Sequence, residues 1–253
     1  MIKFVQHPNL PENCSGLIIC GRYYDIFKNK LEMLGIRAFL MPDSRDLPRE
    51  ISYHADLSVF HAGDNRLFAA KDFAGTDFFE IITSAGFEVT FFENEQSFEY
   101  PGDAAGNVCL FGKFSIFNSC TADKARKKYL DSIEAVRIDV KQGYTKCNVC
   151  VVDDHSIITN DRMIAEKAET AGIDALLSDP SYIKLEGFSH GFIGGCAFKT
   201  ASDNLCFTGI LDTFPDEERN RILEFLDKKG IEPVFLTDRP LFDIGGAVPV
   251  LER

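Results

Sequence analysis

Nine polar side chains fall in short segments that lead into apolar, strand-like runs. They are His54 and Asp56, Asp103 and Asn107, Tyr144, Lys146 and Asn148, His190, and Asp243. Together they are the candidate ligand-binding set. Carboxylates hold a cation, amides and phenols orient a ligand by hydrogen bonds, and a lysine anchors a carboxylate. Lys146 is read as such an anchor, or as a counter-charge to Asp56, Asp103 and Asp243. Facing acids, a lysine keeps its proton, so it is not read as a nucleophile. The alternative for each position is local: Asp and Asn at strand starts commonly bond nearby backbone.

Two thiols are candidate nucleophiles. Cys196 follows Gly194-Gly195 and lies six residues after His190, so the two could form a thiol–imidazole pair. The other reading of Cys196 is a small residue at a crowded strand start. Cys147 is the second thiol, with His54 or His190 as its base. Cys147-Asn148-Val149-Cys150 matches a CxxC pattern, but on a strand its two sulfurs would point to opposite faces. With no second CxxC in the chain, no metal site is expected. Gly191 to Gly195 lacks the Lys-Ser/Thr ending of a phosphate loop and leads into a strand rather than a helix. His61 and His155 sit in or beside proposed hairpin turns, where exposure is expected.

Positioning these residues falls to a repeated unit. Tyr24 to Leu34, Asp77 to Ala85, Lys124 to Ala135, Arg162 to Ala171 and Glu217 to Lys229 read as helices. Four of them end at Gly35, Gly86, Gly172 and Gly230, as a helix turning sharply back into a strand does best. The last is the clearest: Pro215 and three acids open it, and Lys228, Lys229 and Gly230 close it. Short strands follow each helix, as in Ile36 to Leu40 and Phe87 to Phe92. Paired strands precede the later helices, as in Leu57 to Phe60 with Arg66 to Ala69, and Asn148 to Val152 with Ser156 to Thr159. The unit is therefore strand, strand, helix, strand, repeating roughly every 50 residues. Leu17 to Cys20 is the second strand of the first unit, and its partner comes from Lys3 to Val5 or from Val248 to Leu251. The short polar turns within each strand pair argue against a doubly wound sheet, because parallel strands need longer crossovers.

The chain has 253 residues, 45% of them apolar, with Phe (23 copies) as the bulky core-filler. Lys plus Arg is 27 and Asp plus Glu is 39, giving a formal charge of −12. Such a field repels nucleic-acid backbones and anionic membranes, so neither is expected as a partner. No apolar run reaches about 18 residues, and no membrane span is expected. The stretch from Met1 to Pro8 breaks off too soon for a signal peptide. Eight cysteines without an export signal read as reduced thiols of a cytoplasmic protein.

Five such units resemble the pentein, or guanidino-group-modifying, superfamily. It includes arginine and agmatine deiminases, dimethylarginine dimethylaminohydrolase, amidinotransferases and a non-enzymatic ribosome anti-association factor. More narrowly, the chain looks like a small uncharacterised family common in anaerobic Firmicutes. The resemblance covers nearly the whole chain and rests on the unit architecture and on three junctions. These are Tyr100-Pro101-Gly102-Asp103-Ala104-Ala105-Gly106-Asn107, Gln142-Gly143-Tyr144-Thr145-Lys146-Cys147-Asn148 and Asp243-Ile244-Gly245-Gly246-Ala247. It implies a single domain over 1–253: an α/β, pseudo-fivefold propeller of five modules whose junctions meet at a central axis.

In the superfamily's enzymes a Glu-Gly-Gly-Asp segment, a His-x-Asp segment and a late Cys converge there. A thiolate attacks a guanidinium carbon held by negative charge. This chain has Ala104-Ala105-Gly106-Asn107, Lys146-Cys147-Asn148 and Gly245-Gly246-Ala247 at those points. The usual nucleophile, acid/base and one carboxylate are missing, so no catalytic residue is assigned; Cys196, His190 and Cys147 remain candidates only. The expected function is non-catalytic binding of a small cationic or zwitterionic metabolite, with no cofactor and no metal. The alternatives are a divergent cysteine-dependent hydrolase or amidinotransferase acting on a guanidino or amidino C–N bond, and a partner-binding module like the non-enzymatic relative.

Overall fold

The structure is a computed structural model that describes residues 3–253. The first two residues of the N-terminal stretch discussed above lie outside the described residues. Five sheets form among the described residues. The first takes strands from both ends of the chain: β1 (Lys3–Phe4), β2 (Cys14–Cys20) and, after helix α1 (Tyr24–Met33), β3 (Arg37–Met41). A one-turn helix α2 (Ala55–Ser58) then leads into β4 (Val59–His61), β5 (Arg66–Ala69), helix α3 (Asp77–Ser84) and β6 (Glu88–Phe91). The third unit runs β7 (Cys109–Phe111), β8 (Phe114–Phe117), α4 (Lys124–Ser132) and β9 (Val136–Asp139). A second one-turn helix α5 (Thr145–Asn148) opens the fourth: β10 (Val149–Asp153), β11 (Ser156–Thr159), α6 (Arg162–Thr170) and β12 (Asp174–Leu177). The fifth runs β13 (Ala197–Lys199), β14 (Asn204–Phe207), α7 (Asp216–Lys228) and β15 (Glu232–Phe235), and β16 (Ala247–Glu252) ends the chain.

Every unit has the same pairing. Its first two strands are antiparallel, and the strand after the helix returns parallel to the second. In the first unit β16 supplies the antiparallel partner of β2, with β1 outside it. Both candidate termini thus join that sheet, and the C-terminal one lies beside β2. Pairing the ends of the chain leaves β2 no open edge.

Local chemistry explains the helix boundaries. Thr76, Asp123 and Asp161 accept hydrogen bonds from backbone amides in the first turns of α3, α4 and α6, supplying partners that a helix start lacks. Gly35, Gly86, Gly172 and Gly230 all have positive φ, the conformation that lets a helix end turn back into its strand. The helices bury apolar stripes between units as well as within them: Leu130 of α4 joins the core of the second unit, and Ile164 and Ala168 of α6 join that of the third; Phe27 and Leu31 of α1, and Ile222 and Leu226 of α7, are fully enclosed.

Two expectations are corrected. His61 is not exposed: β4 runs one residue further than the apolar pattern suggests, and its imidazole is buried. Cys147 is not on a strand, because α5 ends only at Asn148, so the two-face argument does not apply to its pattern with Cys150. His155 is exposed, as expected. All eight cysteines are free, and only Cys120 is exposed. Among the described residues no helix is long and apolar enough to cross a membrane.

Candidate functional site

The segments that enter the first strand of each unit touch one another in sequence. The Asp56 amide donates to the Gly245 carbonyl at 3.1 Å. Asn107 Nδ2 donates to the Asp56 carbonyl at 2.9 Å, and Asn107 Oδ1 accepts from the amides of Lys146 (2.5 Å) and Cys147 (3.2 Å). Lys146 Nζ points to the Gly194 carbonyl at 3.4 Å. Gly195 in turn accepts from the amides of Ile244 and Gly246. Hydrogen bonds therefore link all five junctions in a closed circuit. Gly194 has to be glycine: a Cβ there would sit 2.5 Å from the Val149 carbonyl oxygen and 2.7 Å from that of Cys147.

Asn107 is the clamp of this circuit. Its amide bonds two neighbouring units, and Thr145 Oγ1 donates to its own carbonyl at 2.9 Å. Arg126 braces the turn beneath it, donating to the carbonyls of Ala105 and Gly106 and stacking 3.9 Å from the Phe92 ring centre. Asn148 Nδ2 donates back to the Tyr144 carbonyl within its own turn. Both amides are thus engaged by protein partners.

On one side of the circuit a cavity of about 270 Å³ opens. His54, Tyr144, Cys147, Ser189, His190 and Asp243 contribute its polar groups, and Ile51, Leu57, Leu185, Phe188 and Phe192 its apolar wall. The Tyr144 and Phe192 rings stack at 6.5 Å, and His190 meets Phe192 edge-on at 5.5 Å. Asp243 Oδ2 accepts from the Phe192 amide and Oδ1 from the Gly245 amide, each at 2.8 Å. This carboxylate is fixed in place and almost fully buried. Its Oδ1 lies 3.9 Å from His54 Nε2. Burial pushes the His54 pKa down despite the pull of Asp243, so the imidazole is neutral and the pair is not an ion pair. Tyr144 OH donates to Asp103 Oδ2 at 2.5 Å; burial and then this bond push the phenol pKa up. Asp103 thus reaches the cavity through Tyr144.

A separate cleft of only about 20 Å³ is lined by Asn9, Asp56, His61, Lys146 and Ala247 among others. Lys146 and Ala247 both line this cleft. Lys146 shares it with Asp56, whereas Asp103 and Asp243 are engaged elsewhere. Burial and then the Asp243 charge push the Asp56 pKa up to about 7, with Lys146 pulling it back.

The two candidate thiols differ. Cys147 lines the cavity, and its sulfur lies with a His54 nitrogen and an Asp56 oxygen, all within 4.8 Å of one another. Cys196 Sγ donates to the Phe192 carbonyl at 3.1 Å and does not line the cavity, although His190 does. Burial foremost, then nearby carboxylate charge, pushes both thiols well above their ordinary pKa. The apolar wall residues were missed by sequence reasoning, because an apolar cavity wall reads like core.

This fold is that of the guanidino-group-modifying, or pentein, enzymes. SxtG, an amidinotransferase from Microseira wollei in the saxitoxin biosynthetic pathway, superposes with a TM-score of 0.61 at 10% identity, over 98% of this chain and 97% of that one. Inosamine-phosphate amidinotransferase StrB1 from Streptomyces griseus gives 0.59 at 11% identity, over 98% and 97%. Agmatine deiminase from C. jejuni gives 0.55 at 9% identity, over 100% and 97%. At such identities the likeness is one of fold. In sequence, the chain belongs to a family of unknown function, DUF6873, whose model matches residues 18–248. No curated protein matches it in sequence.

Proposed function

We propose that the five units form a pseudo-fivefold α/β propeller and that the protein binds a small cationic or zwitterionic metabolite in the cavity at its axis. The closed circuit of hydrogen bonds among the five junctions supports the propeller. The single observation that carries the ligand class is Asp243: a buried carboxylate, held by two backbone amides, in the wall of an aromatic-lined cavity. A cation is the natural partner of such a group. It gains the charge of the carboxylate and the faces of Tyr144 and Phe192. The volume suits a guanidinium or quaternary ammonium head better than a large cofactor. Ala247 supplies no thiol where the superfamily's enzymes carry theirs, which favours binding over their usual chemistry. The eight free cysteines fit a reducing, cytoplasmic setting.

A specific observation favours a second reading: Cys147 and His54 both line the cavity. With His54 as base and Cys147 as nucleophile, the protein would be a divergent C–N hydrolase or amidinotransferase.

Calorimetric titration with guanidinium, agmatine, arginine and choline tests the first reading. The expected result is binding of at least one cation, weakened tenfold or more by Asp243→Asn. Failure of all four to bind, or binding left unchanged by Asp243→Asn, would overturn it. Turnover of agmatine or arginine with a mass adduct on Cys147 would move the assignment to the second reading.

A further inference from the structure

His54, Asp56 and Cys147 form a group that the metabolite reading leaves unused. The three come from two units, α5 and the turn opening α2, and all are more than nine-tenths buried. Neither Asp56 carboxylate oxygen has a hydrogen-bond partner, nor does His54 Nε2. Lys146, the nearest cation by position, has no carboxylate within ion-pair distance among the described residues. Buried polar atoms without partners are costly, and a cluster of them points to a missing ligand.

The donor types are informative. Thiolate, imidazole and carboxylate together suit a borderline-soft divalent ion such as zinc, which takes S, N and O ligands in tetrahedral sites. A neutral imidazole, one carboxylate and one thiolate carry two negative charges, which a divalent ion balances. The donor atoms already lie within 4.8 Å of one another. Zinc bonds of about 2.0–2.3 Å would draw each inward by less than about 1 Å. Asp243 Oδ1, 3.9 Å from His54 Nε2, adds further negative charge beside the imidazole.

We propose that His54, Asp56 and Cys147 bind one divalent transition-metal ion of the zinc type, with its remaining position toward the cavity that His54 and Cys147 line. On binding, the metal–sulfur bond replaces the Cys147 S–H bond, and the proton leaves to solvent; a proton on Asp56 leaves in the same way. No change of oxidation state is involved. This site goes beyond the metabolite reading and does not depend on it, since that reading rests on Asp243.

The test uses the full, reduced chain and the metal alone. Cobalt titration under anaerobic conditions should saturate at one equivalent and produce a thiolate-to-cobalt charge-transfer band. Cys147→Ala should abolish the band and Cys196→Ala should keep it. His54→Gln and Asp56→Asn should each weaken binding at least tenfold. X-ray absorption of the zinc-loaded wild-type protein needs no variant and should show one sulfur at about 2.3 Å with nitrogen or oxygen completing the shell. A shell without sulfur, no band at one equivalent, or a band that survives Cys147→Ala would overturn the site. Titrating guanidinium in the presence of a chelator probes the metabolite reading by itself, so either can fail alone.

Discussion

The two pockets beside the junction circuit are built from adjacent residues and yet differ in kind. One is a cavity of about 270 Å³, walled by aromatic rings and carrying His54, Tyr144, Cys147 and Asp243. The other is a cleft of about 20 Å³, room for about one water molecule. Lys146 and Ala247 face the cleft, although the resemblance places a catalytic histidine and cysteine at those two positions. Polar groups suited to a ligand are therefore gathered where there is space, on whatever face of a fold provides it.

The largest effect should come from the cavity side. Asp243→Ala removes the acceptor of two buried amides, those of Phe192 and Gly245, and should cost about 3 kcal/mol of stability. Denaturant unfolding measures it; a loss under about 1 kcal/mol would mean the carboxylate is not the fixed group described. The cleft side should respond to pH instead. Burial pushes the His61 pKa from 6.5 down to about 4. Above pH 6.5 neither folded nor unfolded chain binds this proton; as pH falls toward 4, only the unfolded chain does. His61 should therefore withdraw roughly 3 kcal/mol of stability across that window. His61→Phe should flatten the pH dependence of unfolding there, and an unchanged slope would contradict its burial.

A smaller contrast separates the two thiols. Iodoacetamide should label Cys147 at least about tenfold faster than Cys196, because Cys147 lines the cavity and Cys196 does not, so a smaller opening exposes it, and guanidinium should protect it. Equal rates would erase the distinction drawn between them. Tyr144→Phe deletes the bond to Asp103 and should cost about 1 kcal/mol, with a modest loss of cation affinity. The smallest effect is expected from Ala247→Cys. Placing a thiol where the resemblance expects one should give no agmatine hydrolysis, since the cleft admits no substrate; measurable turnover would show that the cleft opens.

Much of the repeated architecture was legible in the sequence, because it rests on local signals: acidic helix starts, glycine helix ends, and paired apolar runs separated by polar turns. The α2 and α5 turns were not legible. Four residues complete one helical turn and show no periodicity, so Leu57 and Asn148 read as strand. That error hid the geometry bringing Cys147 beside His54 and Asp56. His61 was misjudged because a strand end and a turn start look alike at one residue. The nine candidate polar residues do lie at the junctions, but their division between cavity, cleft and backbone clamp is long-range. Asn107 meets Asp56 and Lys146 across 51 and 39 residues, a juxtaposition only the folded chain creates.

A crystal structure of the protein soaked with guanidinium tests the central claim most directly. The ion should lie in the aromatic-lined cavity with its N–H groups on the Asp243 carboxylate and its plane against the Tyr144 or Phe192 ring. Guanidinium bound elsewhere with that cavity left to solvent, at a concentration that saturates binding in solution, would contradict it.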